Sequence, residues 1–397
     1  HPARQQKPKL KKVANQKLRA GSLSLLTAYS RADKLAFNPN YTPDEDNTTD
    51  TSNNDTTHYI FEPNLKIDST INTLSSSGNF LISSRSAFAE IKVANNTIID
   101  TKINGESIEK FKIFSLHTDG RIFISRTNSS VTPVAKDRIG KIAIYTHSKS
   151  DSALFAFATE NSSDLIIVKS NGSIAQKMSS SHIDAISCAS FYREEVITGG
   201  KDSIVVKWSF NDKQELEDTQ SLMAHAATVS CIYASDNFGI VVSCSIDGLL
   251  VASLISDFSF MMAIEMKIES NYPGYIPIKV MITDMTGRIF VLCSNSNSRS
   301  SSNILCVYTI NGKFLNQISL DKCVSAWCQA PRADGFDFIV FADSSNAIYL
   351  LNAFNLNIDM KIFQAPAKVT HLHYHNSIDL LAIGTESGSL YVGSLFY

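Results

Sequence analysis

An all-β fold is predicted by three features of the 397-residue sequence. Short runs rich in Val, Ile, Phe and Tyr recur, and clusters of Ser, Asn, Gly and Asp separate them. Examples are Ile122–Thr127, Leu165–Ser170, Ile204–Trp208 and Ala347–Ala353. Runs of this length and composition, bounded by turn residues, are typical of β-strands, and no comparable stretch keeps a helical period. The third feature is an internal repeat.

The repeat consists of two apolar strands joined by a tight turn. Val196–Trp208 aligns with Val241–Ser253 and with Leu381–Gly393. Thr198 and Ser243 occupy equivalent positions about 45 residues apart, which is the period of a propeller blade of four strands. Because one sheet cannot bury both of its faces alone, such units stack radially. The sequence therefore predicts a WD40-type β-propeller.

Seven blades are expected, with eight as the alternative, because the first span is long enough for two. The expected blades cover residues 69–135, 136–180, 181–224, 225–265, 266–320, 321–364 and 365–397. Tyr59–Ile67 is expected to supply the outer strand of the last blade and so close the ring. The predicted domains are a mostly irregular segment at 1–57 and the propeller at 58–397.

The segment 1–57 is basic from Arg4 to Arg19 and then acidic and polar. Residues Pro43–His58 contain no hydrophobic side chain, so we expect a disordered linker there. The basic part is interpreted as a solvated linker, with weak peripheral membrane contact as the alternative. His1 in place of Met indicates a fragment of a longer polypeptide.

Composition limits the partners and the location. The net charge of −2 gives no general attraction to nucleic acid. The seven cysteines are dispersed and none forms a Cys-x-x-Cys pair, which indicates reduced thiols and a cytoplasmic protein. No apolar run reaches the roughly 20 residues that cross a bilayer. The expected location is the cytoplasm, with peripheral contact to endomembranes as an addition.

Four residues predict a buried hydrogen-bond chain of the WD-repeat type: His182, Thr198, Asp202 and Trp208. Their role is expected to be structural, since a hydrolytic triad would need an elbow turn around its nucleophile. The next blade keeps part of the set, at His225, Ser243 and Asp247. It has Ser253 where Trp would stand, so that blade is expected to be looser.

Two other motifs carry little chemistry. The segment Gly199–Ser203 ends like a phosphate-binding loop, but Glu195 stands where the first glycine should be and a strand follows. His371 and His373 alternate on one strand and are weak candidates for metal ligands, with packing against the next blade favoured. We therefore predict no catalytic residue, no cofactor, no metal and no enzyme activity.

Several segments together resemble the C-terminal end of BEACH-domain proteins. His1, Pro2 and Arg4 match a His-Pro-x-Arg stretch near the end of the BEACH module. Val196–Trp208 and Tyr308–Ile318 are similar to strand segments of the family's WD repeats, although Thr309 replaces a serine. The resemblance implies a cytosolic scaffold of vesicle or lysosome trafficking or autophagy, with an upstream BEACH module.

The expected function is thus a non-catalytic scaffold that binds other proteins, including the upstream BEACH module, but not nucleic acid. An unrelated WD-repeat adaptor, for example of the ubiquitin pathway or of complex assembly, is the alternative. A propeller enzyme is least favoured, because it would need polar residues that converge around the central axis. The sequence gives no sign of such convergence.

Overall fold

A computed structural model describes most of the chain between Phe88 and Phe396, and all of its long elements are strands. The described residues are 88–107, 110–119, 121–126, 131–133, 154–158, 163–169, 174–179, 181–193, 195–211, 215–266, 274–295, 302–320, 322–332 and 334–396. Within them the only helical element is a 3₁₀ turn at Asn376–Ile378. The predicted all-β fold is confirmed. The predicted linker at 1–57 lies outside the described residues.

The first three antiparallel sheets come from residues 98–222. Sheet I contains β2 (Ile98–Ser107), β3 (Lys110–His117), β4 (Ile122–Arg126) and β5 (Val131–Pro133). Sheet II contains β6 (Leu154–Ala158), β7 (Asp164–Lys169) and β8 (Ile174–Ser179). Sheet III contains β9 (Ile186–Tyr192), β10 (Glu195–Gly200), β11 (Val205–Phe210) and β12 (Leu216–Leu222).

The remaining four sheets cover the rest of the chain. Sheet IV contains β13 (Val229–Ser235), β14 (Ile240–Ser245), β15 (Leu249–Leu254) and β16 (Phe260–Glu265). Sheet V contains β17 (Tyr275–Ile282), β18 (Ile289–Asn295), β19 (Asn303–Tyr308) and β20 (Phe314–Leu320). Sheet VI contains β21 (Val324–Pro331), β22 (Asp337–Asp343), β23 (Ala347–Asn352) and β24 (Ile358–Gln364). Sheet VII contains β25 (Val369–His375), β26 (Leu380–Thr385), β27 (Ser389–Ser394) and β1 (Ala89–Lys92).

Six of these sheets are complete blades of four strands, so the expected count of seven or eight such blades is wrong for the described residues. Sheet II has three described strands. The number of residues between its last strand, β8, and β9 equals the number between β12 and β13. The three strands thus match the second to fourth strands of a blade. Residues 134–153, which precede these strands, lie outside the described part of the chain.

The first strand of each complete blade lies at the centre of the propeller. In sheets III, IV and V the first strands lie side by side in succession, and the same holds for sheets VI, VII and I. The fourth strands form the circumference, and side chains of β16 and β24 are mostly exposed. The second strands are the most buried, because both of their faces meet a neighbouring sheet. All residues of β14, β22 and β26 are buried.

Apolar layers between successive sheets supply the core. The layer between sheets IV and V contains Val242 and Val291, and the layer between V and VI contains Phe290 and Phe341. Equivalent layers join sheets II and III, III and IV, VI and VII, and VII and I. Val, Ile and Leu dominate these layers, as expected for strands buried on both faces. A rigid disc of radial sheets results.

The ring is closed by a strand from the N-terminal side of the propeller, although not by the segment that the sequence indicated. Strand β1 pairs antiparallel with β27, with Ile91 opposite Leu390. Phe88, just before β1, is buried and lies 4.8 Å from the ring of Phe363. The assignment of this role to Tyr59–Ile67, which lie outside the described residues, is therefore wrong. Closure removes the free edge that sheet VII would otherwise expose.

Candidate functional site

The four residues of the predicted chain meet inside sheet III. Trp208 Nε1–H donates to Thr198 Oγ1 at 2.9 Å, and Thr198 Oγ1 lies 2.9 Å from His182 Nε2. His182 Nδ1 lies 3.1 Å from both carboxylate oxygens of Asp202. Since a carboxylate only accepts, Nδ1 carries a proton. The tetrad is a continuous chain of hydrogen bonds from Trp208 to Asp202.

Burial defines what the tetrad can do chemically. Thr198 and Trp208 are 0% exposed, and the His182 side chain is 0% exposed. A hydroxyl in this position cannot meet a substrate, and it already accepts a hydrogen bond from the indole. The geometry supports a structural role, because a fully satisfied buried network holds its members in one arrangement.

The Asp202 carboxylate fixes two backbone segments on one face of the propeller. It accepts from Ile183 N at 2.8 Å and from Ile204 N at 3.1 Å. Burial alone would raise the pKa of Asp202, but these hydrogen bonds and His182 together hold it below its usual value. Gly200 packs against the same pair, and a Cβ atom there would overlap His182 Nδ1 and Asp202 Oδ1. Gly200, which belongs to the segment that resembles the end of a phosphate-binding loop, thus leaves the space that His182 and Asp202 occupy.

Sheet IV retains only part of this network. His225 Nε2 lies 2.7 Å from Ser243 Oγ. This contact is equivalent to the one between His182 and Thr198 in sheet III. Asp247 instead bonds Ser245 Oγ and the backbone N–H of Leu249. His225 Nδ1 and Ser253 Oγ are buried without a hydrogen-bond partner among the described residues.

Three exposed apolar side chains lie on the face that holds the His182–Asp202 pair, which we call the tetrad face. Ile183 is 87% exposed, Met223 80% and Ile246 44%. Met223 directly follows β12. The end of β12 pairs with the start of β11, next to the turn that contains Asp202. Ile246 N donates to Thr228 O, and Thr228 Oγ1 donates to Lys201 O in that turn. These three residues form the tetrad-face patch across sheets III and IV.

A second set of structural hydroxyls was missed by sequence reasoning. The first strand of each complete blade contains a bulge that leaves one extra residue near its start. In four blades this residue is Ser187, Ser230, Ser325 or Thr370, and each hydroxyl donates to a carbonyl of the second strand. Ser187 and Thr370 also donate to the first strand of the next sheet. The signal in the sequence was a hydroxyl residue five positions after His182 and again after His225.

The bulges bring polar side chains from distant parts of the chain to the centre. The residue after the bulge is Asp100 in sheet I, Lys279 in sheet V and His371 in sheet VII, while Lys102 and His373 stand two positions further. We call these five residues the axial cluster. Lys102 interacts electrostatically with all three histidines of β25, and Lys279 interacts with Asp100. Groups on such widely separated sheets can interact in this way only near the axis.

Within the axial cluster, His371 is fully bonded to the neighbouring sheet. Its Nε2 lies 3.0 Å from Asp100 Oδ1, and its Nδ1 accepts from Thr101 N–H at 3.1 Å. Burial lowers the pKa of His371 and lowers that of His373 strongly. Lys102 lowers both pKa values further, and Lys279 also lowers that of His371. The described residues contain no group of three or more His, Cys, Asp or Glu side chains that could hold a metal ion. Among the described residues, His371 and His373, the weak candidates for metal ligands, are thus not part of such a group.

The opposite end of the axis is acidic. Gln329 Nε2 donates to Tyr233 Oη at 2.8 Å and so joins sheets VI and IV near the centre. Burial, together with the nearby Asp337 and Asp236 and against a hydrogen bond with Gln329, raises the pKa of Asp284 to about 6. Asp236 also interacts with Lys102, so these carboxylates are electrostatically linked to the axial cluster.

No protein-family model matches the chain. In the part of the chain that the structure describes, no helix has the length and apolar character needed to cross a membrane. The β-propeller architecture is the class of protein that these observations define.

Proposed function

We propose that the propeller is a non-catalytic platform that binds another protein through the tetrad face of sheets III and IV. The observation that carries the proposal is the tetrad-face patch. Hydrogen bonds to the backbone hold Ile183 and Ile246 in place while their side chains face solvent. Large exposed apolar side chains that lie on one face of a rigid support are typical of protein interfaces.

The chemistry of the patch defines the partner. Ile183, Met223 and Ile246 offer aliphatic and thioether groups, which favour apolar side chains over a charged ligand. The rigid display reduces the conformational entropy that binding would cost. The partner is thus a protein segment that buries apolar side chains against sheets III and IV.

The test places a photo-crosslinking amino acid at position 183 of the full-length protein in cells. The matched control position is 358, because Ile358 is also apolar and 52% exposed but lies on the outer strand of sheet VI. The protein crosslinked from position 183 is identified, purified and titrated against wild type, Ile183→Ser and Ile358→Ser. Ile183→Ser should weaken binding about tenfold or more, since burial of an isoleucine contributes about 1.5–3 kcal/mol. Equal affinity of the three proteins would contradict the proposal.

We further propose that the chain is the WD40-type propeller of a BEACH-type protein of vesicle or lysosome trafficking or autophagy, located in the cytoplasm. The support is the resemblance carried by His1, Pro2 and Arg4 and by the two strand segments. The coding sequence upstream of His1 tests it directly. An adjoining BEACH module supports the proposal, and any other upstream domain would assign the chain to an unrelated WD-repeat adaptor.

A further inference from the structure

The face opposite the tetrad face has its own exposed apolar side chains. Successive strands of a blade run in opposite directions, and the Asp202 turn follows a second strand. The turns after the first and third strands therefore lie on the opposite face. Met285 and Phe336 occupy turns after the first strands of sheets V and VI, and Phe354 occupies the turn after the third strand of sheet VI. Met285 is 39% exposed, Phe336 53% and Phe354 50%. We call these three residues the opposite-face patch.

One carboxylate joins the turn of Met285 to the turn of Phe336. Asp337 directly follows Phe336 and is buried. Its carboxylate accepts hydrogen bonds from Met285 N–H at 3.1 Å and from Thr286 N–H at 2.8 Å. The backbone at Met285 thus lies one hydrogen bond away from the residue next to Phe336.

Two further contacts hold the turn of Phe354 beside them. Ala353 N–H donates to Asp337 O at 3.0 Å, so the residues next to Phe336 and Phe354 are bonded to each other. Arg288 donates to Phe354 O at 2.7 Å, and its guanidinium carbon lies 4.8 Å from the centre of the Phe354 ring. Because hydrogen bonds to the backbone fix all three turns, a ligand of the patch would cost little ordering entropy.

The closing strand of the ring begins near the same face. The turn between β26 and β27 follows a second strand and so lies on the tetrad face. Strand β1 pairs antiparallel with β27, with Ala89 opposite Val392 and Lys92 opposite Ser389. Since Ser389 begins β27, Lys92 lies nearer the tetrad face and Ala89 nearer the opposite face. Sheet VII, which contains β1, packs on sheet VI, and sheet VI packs on sheet V.

The sequence ahead of β1 contains an apolar segment of matching chemistry. Tyr59–Ile67 reads Tyr-Ile-Phe-Glu-Pro-Asn-Leu-Lys-Ile and lies outside the described residues. Its expected role in ring closure is taken by β1. The chain from Ile67 to Phe88 can span up to about 70 Å at about 3.3–3.6 Å per residue. Packed sheets lie about 10 Å apart, so this length is ample to reach sheets V and VI from sheet VII.

We propose that Tyr59–Ile67 docks on the opposite-face patch of the same chain, with Tyr59–Phe61 against the patch. Aromatic rings and a thioether favour aromatic and aliphatic partners. The covalent connection gives an effective concentration on the order of 1 mM, so a weak intrinsic contact is sufficient. The triplet Phe80–Ile82 is a poorer occupant, because the chain from Ile82 to Phe88 spans only about 20 Å. Such docking occupies the opposite face and leaves the tetrad-face patch open to a partner protein.

Photo-crosslinking in the purified 397-residue chain tests the contact. Benzoylphenylalanine replaces Phe336, and the matched control replaces Phe260. Phe260 is exposed to nearly the same extent, 55%, but lies on β16 at the circumference. Mass spectrometry of tryptic peptides separates residues 35–66 from residues 67–85, because trypsin cleaves after Lys34, Lys66 and Arg85. We expect position 336, and not position 260, to crosslink to residues 35–66 within a single chain.

A titration supplies the second measurement. A fluorescent peptide of residues 57–69 is added to the chain with Phe61→Ser, whose own segment competes weakly. A further Phe336→Ser substitution should weaken binding of the peptide about tenfold, because apolar burial is lost. A further Phe260→Ser substitution should leave the affinity unchanged. Both changes are at exposed positions, and thermal melts verify that the variants fold.

Each alternative occupant has its own outcome. Crosslinks from position 336 that are confined to residues 68–85 would overturn the assignment to Tyr59–Ile67. Crosslinks between two chains would identify a second copy as the occupant and overturn the intramolecular contact. Equal yields at positions 336 and 260, no crosslink at all, or equal peptide affinities of the two double variants would overturn the docking site itself.

Discussion

Replacement of Trp208 by Ala should destabilise the propeller more than any other single tryptophan truncation. The indole is 0% exposed and packs in the apolar layer between sheets II and III. Truncation of a buried Trp to Ala costs about 3–5 kcal/mol, because transfer free energy is lost and a cavity remains. Thr198 also loses the hydrogen bond from Nε1 but keeps His182, so the polar contribution is at the lower end, about 1 kcal/mol.

A total of about 4 kcal/mol corresponds to a fall in Tm of about 6 °C for a domain of about 300 residues, since the unfolding entropy is about 2.1 cal/mol/K per residue. Thermal melts and urea unfolding followed by far-UV circular dichroism measure it. The matched control is Trp327→Ala, which changes the only other tryptophan, a half-buried one on β21. That variant should lose less than half as much stability.

The hydrogen-bond part of the effect can be separated with Thr198→Val. This substitution keeps the side-chain volume but leaves Trp208 Nε1 and His182 Nε2 without their shared partner. The expected loss is about 2–3 kcal/mol, since each buried unsatisfied group costs about 1–3 kcal/mol. If Trp208→Ala cost less than about 1 kcal/mol, or no more than Trp327→Ala, the reasoning about the tetrad would be refuted.

Three further predictions concern other parts of the disc. Gly200→Ala should lower Tm by several degrees, because its Cβ would overlap His182 and Asp202; an unchanged Tm would show that the turn yields freely. Asp284→Asn should stabilise the protein by about 2 kcal/mol at pH 7, where the raised pKa makes the ionised carboxyl unfavourable in the folded state. That gain should be largely lost as pH falls to about 3, where the carboxyl is protonated in the folded state and mostly so in the unfolded state, and a pH-independent gain would be inconsistent with it. Phe88→Ala should cost about 3–5 kcal/mol in urea unfolding through lost packing on Phe363, and a negligible loss would mean that the closing strand contributes little.

The repeat could be predicted from sequence because its signals are local. Each expected blade span from residue 181 to 364 encloses one sheet, and the span 365–397 encloses three of the four strands of sheet VII, since turn residues and apolar runs mark the strands directly. The closing strand could not be found in this way. Ala89–Lys92 is short, and only Ile91 is strongly strand-forming, whereas Tyr59–Ile67 has more aromatic and β-branched residues. Pairing with β27 is decided by tertiary packing, which outweighs local propensity.

The axial cluster could not be predicted for a different reason. Asp100, Lys279 and His371 are far apart in the chain, and the sequences of their strands have no motif in common. They share only their place directly after a bulge. A bulge shifts the facing of every later side chain, so alternation alone assigns these residues to the wrong side. Convergence at the axis therefore becomes visible only when the strands are placed in the ring.

The tetrad and the buried charges at the axis have opposite expected effects on the stability of the folded state. In the tetrad every polar group has a partner, so its removal should lower Tm. At the axis, Lys102, Lys279 and the carboxyl of Asp284 are withdrawn from water at a cost to the folded state. Removal of one of these charges should therefore raise Tm. Sequences commonly retain such local costs where a ligand or partner compensates for them. A rise in Tm for Lys102→Met together with a fall for Trp208→Ala would show that the tetrad stabilises the blades, whereas the buried charge of Lys102 destabilises the folded state.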